Sequence, residues 1–150
     1  MNRSMKIYLA FVYVILFTIS GIQAAVIDVT AFGAKGDGRT DNLKAFQTAL
    51  NSLKESGGIL FVPAGKYRIN GNLTLPTGVT IEGISRNAAP RSLTGSILLV
   101  TTGKGDADAP PFIMMQQNSG ISGLVIHYPE QVSDRDPHPY PWTIRGHGDN

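Results

Sequence analysis

Residues 28–83 read DVTAFGAKGDGRTDNLKAFQTALNSLKESGGILFVPAGKYRINGNLTLPTGVTIEG, and their order decides the fold. A Gly- and Asp-rich turn comes first, at residues 31–39, where Gly33, Gly36 and Gly38 permit positive φ. One amphipathic helix follows. The spacing predicts it over residues 41–55, with Thr40 as N-cap and Asp41 at the positive helix start. Leu43, Phe46, Leu50 and Leu53 recur at steps of three and four and form one apolar stripe, while Asn42, Lys44, Gln47, Asn51 and Lys54 fall on the wet side. With Leu43 at the third helical position there is no capping box. Gly57 supplies the left-handed stop.

After Gly58 the period changes from helical to two. In Val79-Thr80-Ile81-Glu82 the two aliphatic residues share one face, and Thr80 and Glu82 share the other. Leu73-Thr74-Leu75 and Tyr67-Arg68-Ile69 behave likewise. Further short strands are predicted at residues 97–100, 112–115 and 124–127, and another starts at Trp142. No Asn-Gly or Asp-Gly pair sits between two well-formed strands as a two-residue hairpin turn, which argues against a sandwich.

A solenoid accounts for the spacing. Residues 59–62, 67–69 and 73–75 make a first coil, residues 79–82, 97–100 and 112–115 a second, and residues 122–127 open a third. A period of about 20 residues suits such a coil. Stacked coils bury a continuous apolar column, with Val79, Ile81, Leu124 and Ile126 inward and Thr80, Glu82, Val125 and His127 outward. The open end of the first coil would be a bare sheet edge, and a helix laid across it removes that hazard. Three coils at about 4.8 Å per strand rise only on the order of 15 Å. The expectation is therefore that this chain is the front part of a longer protein.

This order resembles the opening of a secreted right-handed parallel β-helix of the pectate-lyase-like kind, the N-terminal segment shared by polygalacturonases, rhamnogalacturonases and their relatives. The resemblance covers residues 26–150 and is strongest over residues 28–83. It implies an all-β, pectin-lyase-like solenoid with an N-terminal capping α-helix and a polysaccharide ligand. It also implies a parent protein that is a glycoside hydrolase or a polysaccharide lyase. The family's catalytic pattern is an Asn-Thr-Asp turn, an Asp-Asp pair, a Gly-His-Gly turn and an Arg-Ile-Lys strand. This chain has neither Asn-Thr-Asp nor Asp-Asp. It does have Gly146-His147-Gly148, but no Asp pair precedes it, so His147 reads as a glycine-flanked turn residue.

The best local candidate for ligand contact is YPEQVSDRDPHPYPW, residues 128–142. It holds Glu130, Asp134, Asp136, His138, Tyr140 and Trp142, stiffened by four prolines. Aromatic faces stack on sugar rings while carboxylates accept from hydroxyls. Asp134, Asp136, His138, Tyr140 and Trp142 are therefore the predicted substrate contacts. The bland alternative makes Trp142 a core residue of the next coil and the charges an ordinary exposed loop.

Paired carboxylates of the kind glycoside hydrolysis uses are not evident, so the isolated chain is expected to be inactive. Asp106 and Asp108 offer two oxygen donors, far short of a Ca²⁺ site, so no cofactor is expected and Ca²⁺ enters only if the parent is a lyase. The alternative to a carbohydrate-active parent is a non-catalytic β-helix, a glycan-binding or structural surface protein such as an adhesin. Asn72-Leu73-Thr74 is a glycosylation sequon.

Arg3 and Lys6 precede an apolar run over residues 7–19, the pattern of a signal peptide over residues 1–24. Residues 25–150 would then be the β-helix segment, in a secreted protein, extracellular or periplasmic, without stable membrane association. The run is shorter than the about 20 residues a membrane span needs. Without the leader the 13 basic residues fall to 11, equal to the 11 acidic ones, so no basic patch argues for nucleic acid. With no Cys, disulfides and thiol chemistry are excluded. A monomer is expected.

Overall fold

The computed structural model describes residues 24–85, 93–131 and 137–146. The apolar leader, Asp134, Asp136 and His147 lie outside the described residues. The elements run β1 (Val26–Asp28), a 3-10 turn (Val29–Phe32), β2 (Asp37–Asp41), helix α1 (Leu43–Ser52), β3 (Gly58–Val62), β4 (Gly65–Ile69) and β5 (Leu73–Leu75). They continue with β6 (Val79–Gly83), β7 (Ser96–Val100), β8 (Ile113–Met115), β9 (Gly120–Ser122), β10 (Leu124–His127) and β11 (Ile144–Gly146).

These strands stack in three sheets, ordered β1-β3-β6-β9, β2-β4-β7-β10 and β5-β8-β11. Every pairing is parallel. The chain visits the sheets in turn, so each circuit is one coil of a right-handed parallel β-helix. Period-two alternation sends Leu60, Ile81, Tyr67, Leu98, Ile69, Val100, Leu73 and Ile113 into one buried column. The register stacks Leu60 on Ile81, Tyr67 on Leu98 and Leu73 on Ile113. Leu124 and Ile126 pack half-buried against this core, and Val79 and Ile81 are fully buried, as the alternation predicts.

Two strands the sequence reading missed, β1 and β2, form the outermost coil, and α1 stands where that coil's third strand would be. Phe46, Ala49, Leu50 and Leu53 are buried against the end of the column, with Leu43 partly buried beside them. The Phe46 and Tyr67 rings meet edge to face at 5.6 Å.

The helix is shorter than residues 41–55. Its N-cap position is Asn42 rather than Thr40, because Asp37–Asp41 pairs with β4 as a strand. Asn42 is buried and its side chain does not cap the helix. It accepts from the Lys35 N–H at 2.7 Å and donates to the carbonyls of Lys35, Thr40 and Arg68. Asp41 covers the helix start instead, its Oδ1 accepting from the N–H groups of Leu43 and Asn70, each at 3.1 Å. The helix stops at Ser52, and the N–H of Gly57 closes onto the Leu53 carbonyl at 2.8 Å.

One corner recurs through the stack. Gly57, Gly78 and Asn118 all have left-handed φ, at 67°, 70° and 54°. The ladder continues through this corner, since Gly58 N–H donates to Gly78 O and Gly78 N–H to Gln117 O, both at 3.1 Å. The strand predicted over residues 124–127 is β10, and Gly123 before it, with a φ of 62°, turns the chain from β9 in the first sheet into the second.

Candidate functional site

Two segments join the second sheet to the third, residues 101–112 in one coil and, in the next, a stretch described at residues 128–131 and 137–143. The stacking brings them together. Gly105 N–H donates to the Pro139 carbonyl at 2.8 Å, and the Lys104 ammonium lies 3.3 Å from the Glu130 carboxylate. That ion pair is about half exposed and contributes at most about 1 kcal/mol. Loop–loop register comes from the backbone.

Tyr128 is the organiser. Its ring meets Tyr140 edge to face at 4.7 Å, and its hydroxyl donates to Thr143 Oγ1 at 3.1 Å. Burial pushes the Tyr128 phenol up from its ordinary value, against the hydrogen bond to Thr143 and with a smaller upward push from Tyr140.

The backbone after Tyr140 is fixed by the ladder. Phe112 N–H donates to Trp142 O and Ile113 N–H to Thr143 O, each at 3.0 Å. Pro141 is buried, over Gly103. Trp142 itself is 73% exposed in this chain. An open cavity of about 400 Å³ is lined by Ala107, Tyr140, Pro141, Trp142 and Thr143.

Of the predicted contacts, Tyr140 and Trp142 come together at this cavity. His138 is half-buried in the same loop and does not line it. Asp134 and Asp136 lie outside the described residues. Sequence reasoning missed Tyr128 and Thr143, whose only signal was their position at the two ends of the Pro-rich loop. No carboxylate lines the cavity among the described residues. Its aromatic faces and hydroxyls equip it for binding.

Other candidates resolve into structural roles. Asp106 Oδ1 accepts from Asp108 N–H at 3.0 Å and so closes its own turn. No group of three or more His, Asp or Glu able to hold a metal occurs among the described residues. In the sequon, Asn72 Nδ2 donates to the carbonyls of Pro110 and Pro111 at 3.0 and 2.9 Å, tying one coil to the next. The nitrogen that glycosylation would use is engaged.

Comparison with known proteins follows the same boundaries. Residues 26–128 match the family described as Rhamnogalacturonase A/epimerase, pectate lyase-like. The preneck appendage protein of Bacillus phage PZA is 31% identical over 127 residues, covering 76% of this chain and 14% of its own. The capsule K30/K69-specific depolymerase 1 of Klebsiella phage K5-2 is 37% identical over 81 residues, 47% of this chain and 10% of its own. Among solved structures, a candidate glycosyl hydrolase from Parabacteroides merdae superposes with a TM-score of 0.51 at 29% identity, covering 66% of this chain and 42% of that one. The chain thus spans a small part of the length of the curated relatives it matches. The family match begins at β1, takes in the capping helix and ends at Tyr128, where the second aromatic loop departs; the chain belongs to the rhamnogalacturonase A/epimerase, pectate lyase-like family.

Proposed function

We propose that this chain is the N-terminal, glycan-contacting segment of a secreted polysaccharide-active β-helix protein. Its parent is a glycoside hydrolase or polysaccharide lyase acting on pectin- or rhamnogalacturonan-type polymers, and the 150-residue chain alone does not cleave them. Residues 1–24 direct export, with Arg3 and Lys6 ahead of the apolar run. The observation that carries the binding reading is Trp142, exposed on a laddered backbone beside Tyr140. Aromatic faces stack on sugar rings, and a backbone already fixed in place has less freedom to lose on binding. The family match and the capsule-specific depolymerase among the relatives support a polysaccharide as the partner.

The test is incubation of the full chain with polygalacturonate and rhamnogalacturonan. Reducing ends, unsaturated products and binding are followed together. The expected result is binding without new ends or unsaturated products, and loss of binding in Trp142→Ala. Turnover by the chain that disappears in Asp134→Asn or Asp136→Asn would overturn the inactive assignment. Turnover lost only in His147→Ala would move the chemistry to the Gly146-His147-Gly148 turn.

A further inference from the structure

A second cleft, of about 480 Å³, opens at the other ends of the third-sheet strands, where α1 finishes. Its volume lies within the roughly 300–1,000 Å³ of small-ligand sites. Asn51, Lys54 and Glu55 come from the end of the helix region, and Thr74, Thr77 and Gln116 from the strand ends opposite. Pro76, itself buried, supplies an apolar part of the lining.

Hydrogen bonds around this cleft hold its frame. Gln116 N–H donates to Leu75 O at 3.0 Å, and its own carbonyl accepts from Ser119 Oγ at 2.7 Å. Gln47 Nε2 donates to Asn51 Oδ1 at 3.0 Å. That bond fixes the Asn51 carboxamide with its Nδ2 donors turned away from Gln47. Lys54 and Glu55 carry one charge of each sign, so the lining is neutral in sum. Amide and hydroxyl groups around an apolar proline surface match an uncharged polyhydroxylated chain.

We propose that this cleft is a binding site for a short stretch of uncharged saccharide, separate from the cavity at Trp142. The two sites flank the same sheet from opposite ends of strands only about 10 Å long. The proposal does not depend on the Trp142 reading.

The experiment uses the full chain and three neutral probes, cellohexaose, xylohexaose and mannohexaose, with oligogalacturonate as the charged comparison. Binding is followed by ¹⁵N chemical shifts, which report the side-chain amides of Asn51 and Gln116 and the Trp142 indole separately. The expected result is that at least one neutral probe shifts the Asn51 and Gln116 amides. Gln116→Ala should weaken that binding about fivefold, the loss of one hydrogen bond, and Trp142→Ala should leave it unchanged. Thr77→Trp, which fills the cleft from an exposed position, should abolish it in a protein with an otherwise unchanged spectrum. No shift of these amides with any neutral probe at millimolar concentration would overturn the proposal. So would shifts seen only with oligogalacturonate, or shifts that vanish in Trp142→Ala.

Discussion

The side-chain carboxamide of Gln47 stands in for a β-strand beside Thr74. Its Oε1 accepts from Thr74 N–H at 3.0 Å, and its Nε2 donates to Thr74 O at 3.1 Å. Thr74 sits in β5, the edge strand of the third sheet, where no strand of the outer coil exists to pair with it. A glutamine on the helix thus satisfies the backbone groups that an edge strand would otherwise offer to another chain. Gln47→Leu should lose both bonds and cost about 1–2 kcal/mol, because water reaches this exposed edge and partly replaces them. Gln47→Glu keeps an acceptor for the N–H but sets a carboxylate against the Thr74 carbonyl, so it should fall no nearer to wild type than Gln47→Leu. Urea midpoints at unchanged m-value measure both.

Phe46 is fully buried and closes the column against Tyr67. Phe46→Ala should cost about 3–5 kcal/mol. A loosened cap would expose the first-coil edges, so the variant should elute as larger species in size-exclusion chromatography. A monomeric variant with a wild-type urea midpoint would show that the helix does not seal the solenoid.

The cap and the coils were legible because both rest on periodicity. The stripe of Leu43, Phe46, Leu50 and Leu53 and the alternation in Val79-Thr80-Ile81-Glu82 are local signals, and burial follows them. What was not legible depends on partners far along the chain. Residues 37–41 (DGRTD) have no β pattern and are a strand only because β4 pairs with them. Asn42 looked like a wet-side helix residue, yet it is buried through bonds that reach Arg68. The corner at Gly123 carries a local turn signal in Ser122-Gly123, but that β9 and β10 lie on different sheets shows only in the stacking. At the site, the Pro-rich loop announced Tyr140 and Trp142 by composition. Tyr128 acquires its role through Thr143, 15 residues away, which no local pattern encodes.

Asn118 occupies the left-handed position that glycine holds in the two coils before it. Asn118→Gly should therefore be nearly neutral, while Asn118→Val should cost about 1–2 kcal/mol, since a β-branched side chain tolerates that conformation poorly. Thermal melts of the two variants against wild type measure the difference. Equal melting temperatures would mean the corner is not held in this conformation.

Hydrogen bonds from the Arg39 and Thr40 N–H groups and the Thr40 hydroxyl hold the Asp37 carboxyl down at about 2, with a smaller contribution from Lys35. A carboxyl lowered in the folded state stabilises above its unfolded value of 3.8 and stops doing so as pH falls towards 2. Acid titration of stability should therefore be shallower in Asp37→Asn than in wild type between these two values. The group is fully exposed, so salt should reduce the difference. Identical acid limbs would show that the turn at residues 37–40 opens without affecting the fold.

The most direct measurement is isothermal titration of the full chain with oligogalacturonate and with rhamnogalacturonan oligosaccharides, repeated for Trp142→Ala and Tyr128→Phe. Trp142→Ala removes the exposed ring and should abolish measurable binding. Tyr128→Phe removes only the hydroxyl that fixes Thr143 and should weaken binding several-fold while leaving the ring contact with Tyr140. Both variants should melt within a few degrees of wild type, since Trp142 is 73% exposed and one hydrogen bond contributes about 1 kcal/mol. Wild-type affinity in Trp142→Ala, or no binding by the unaltered chain to either oligosaccharide, would contradict the account.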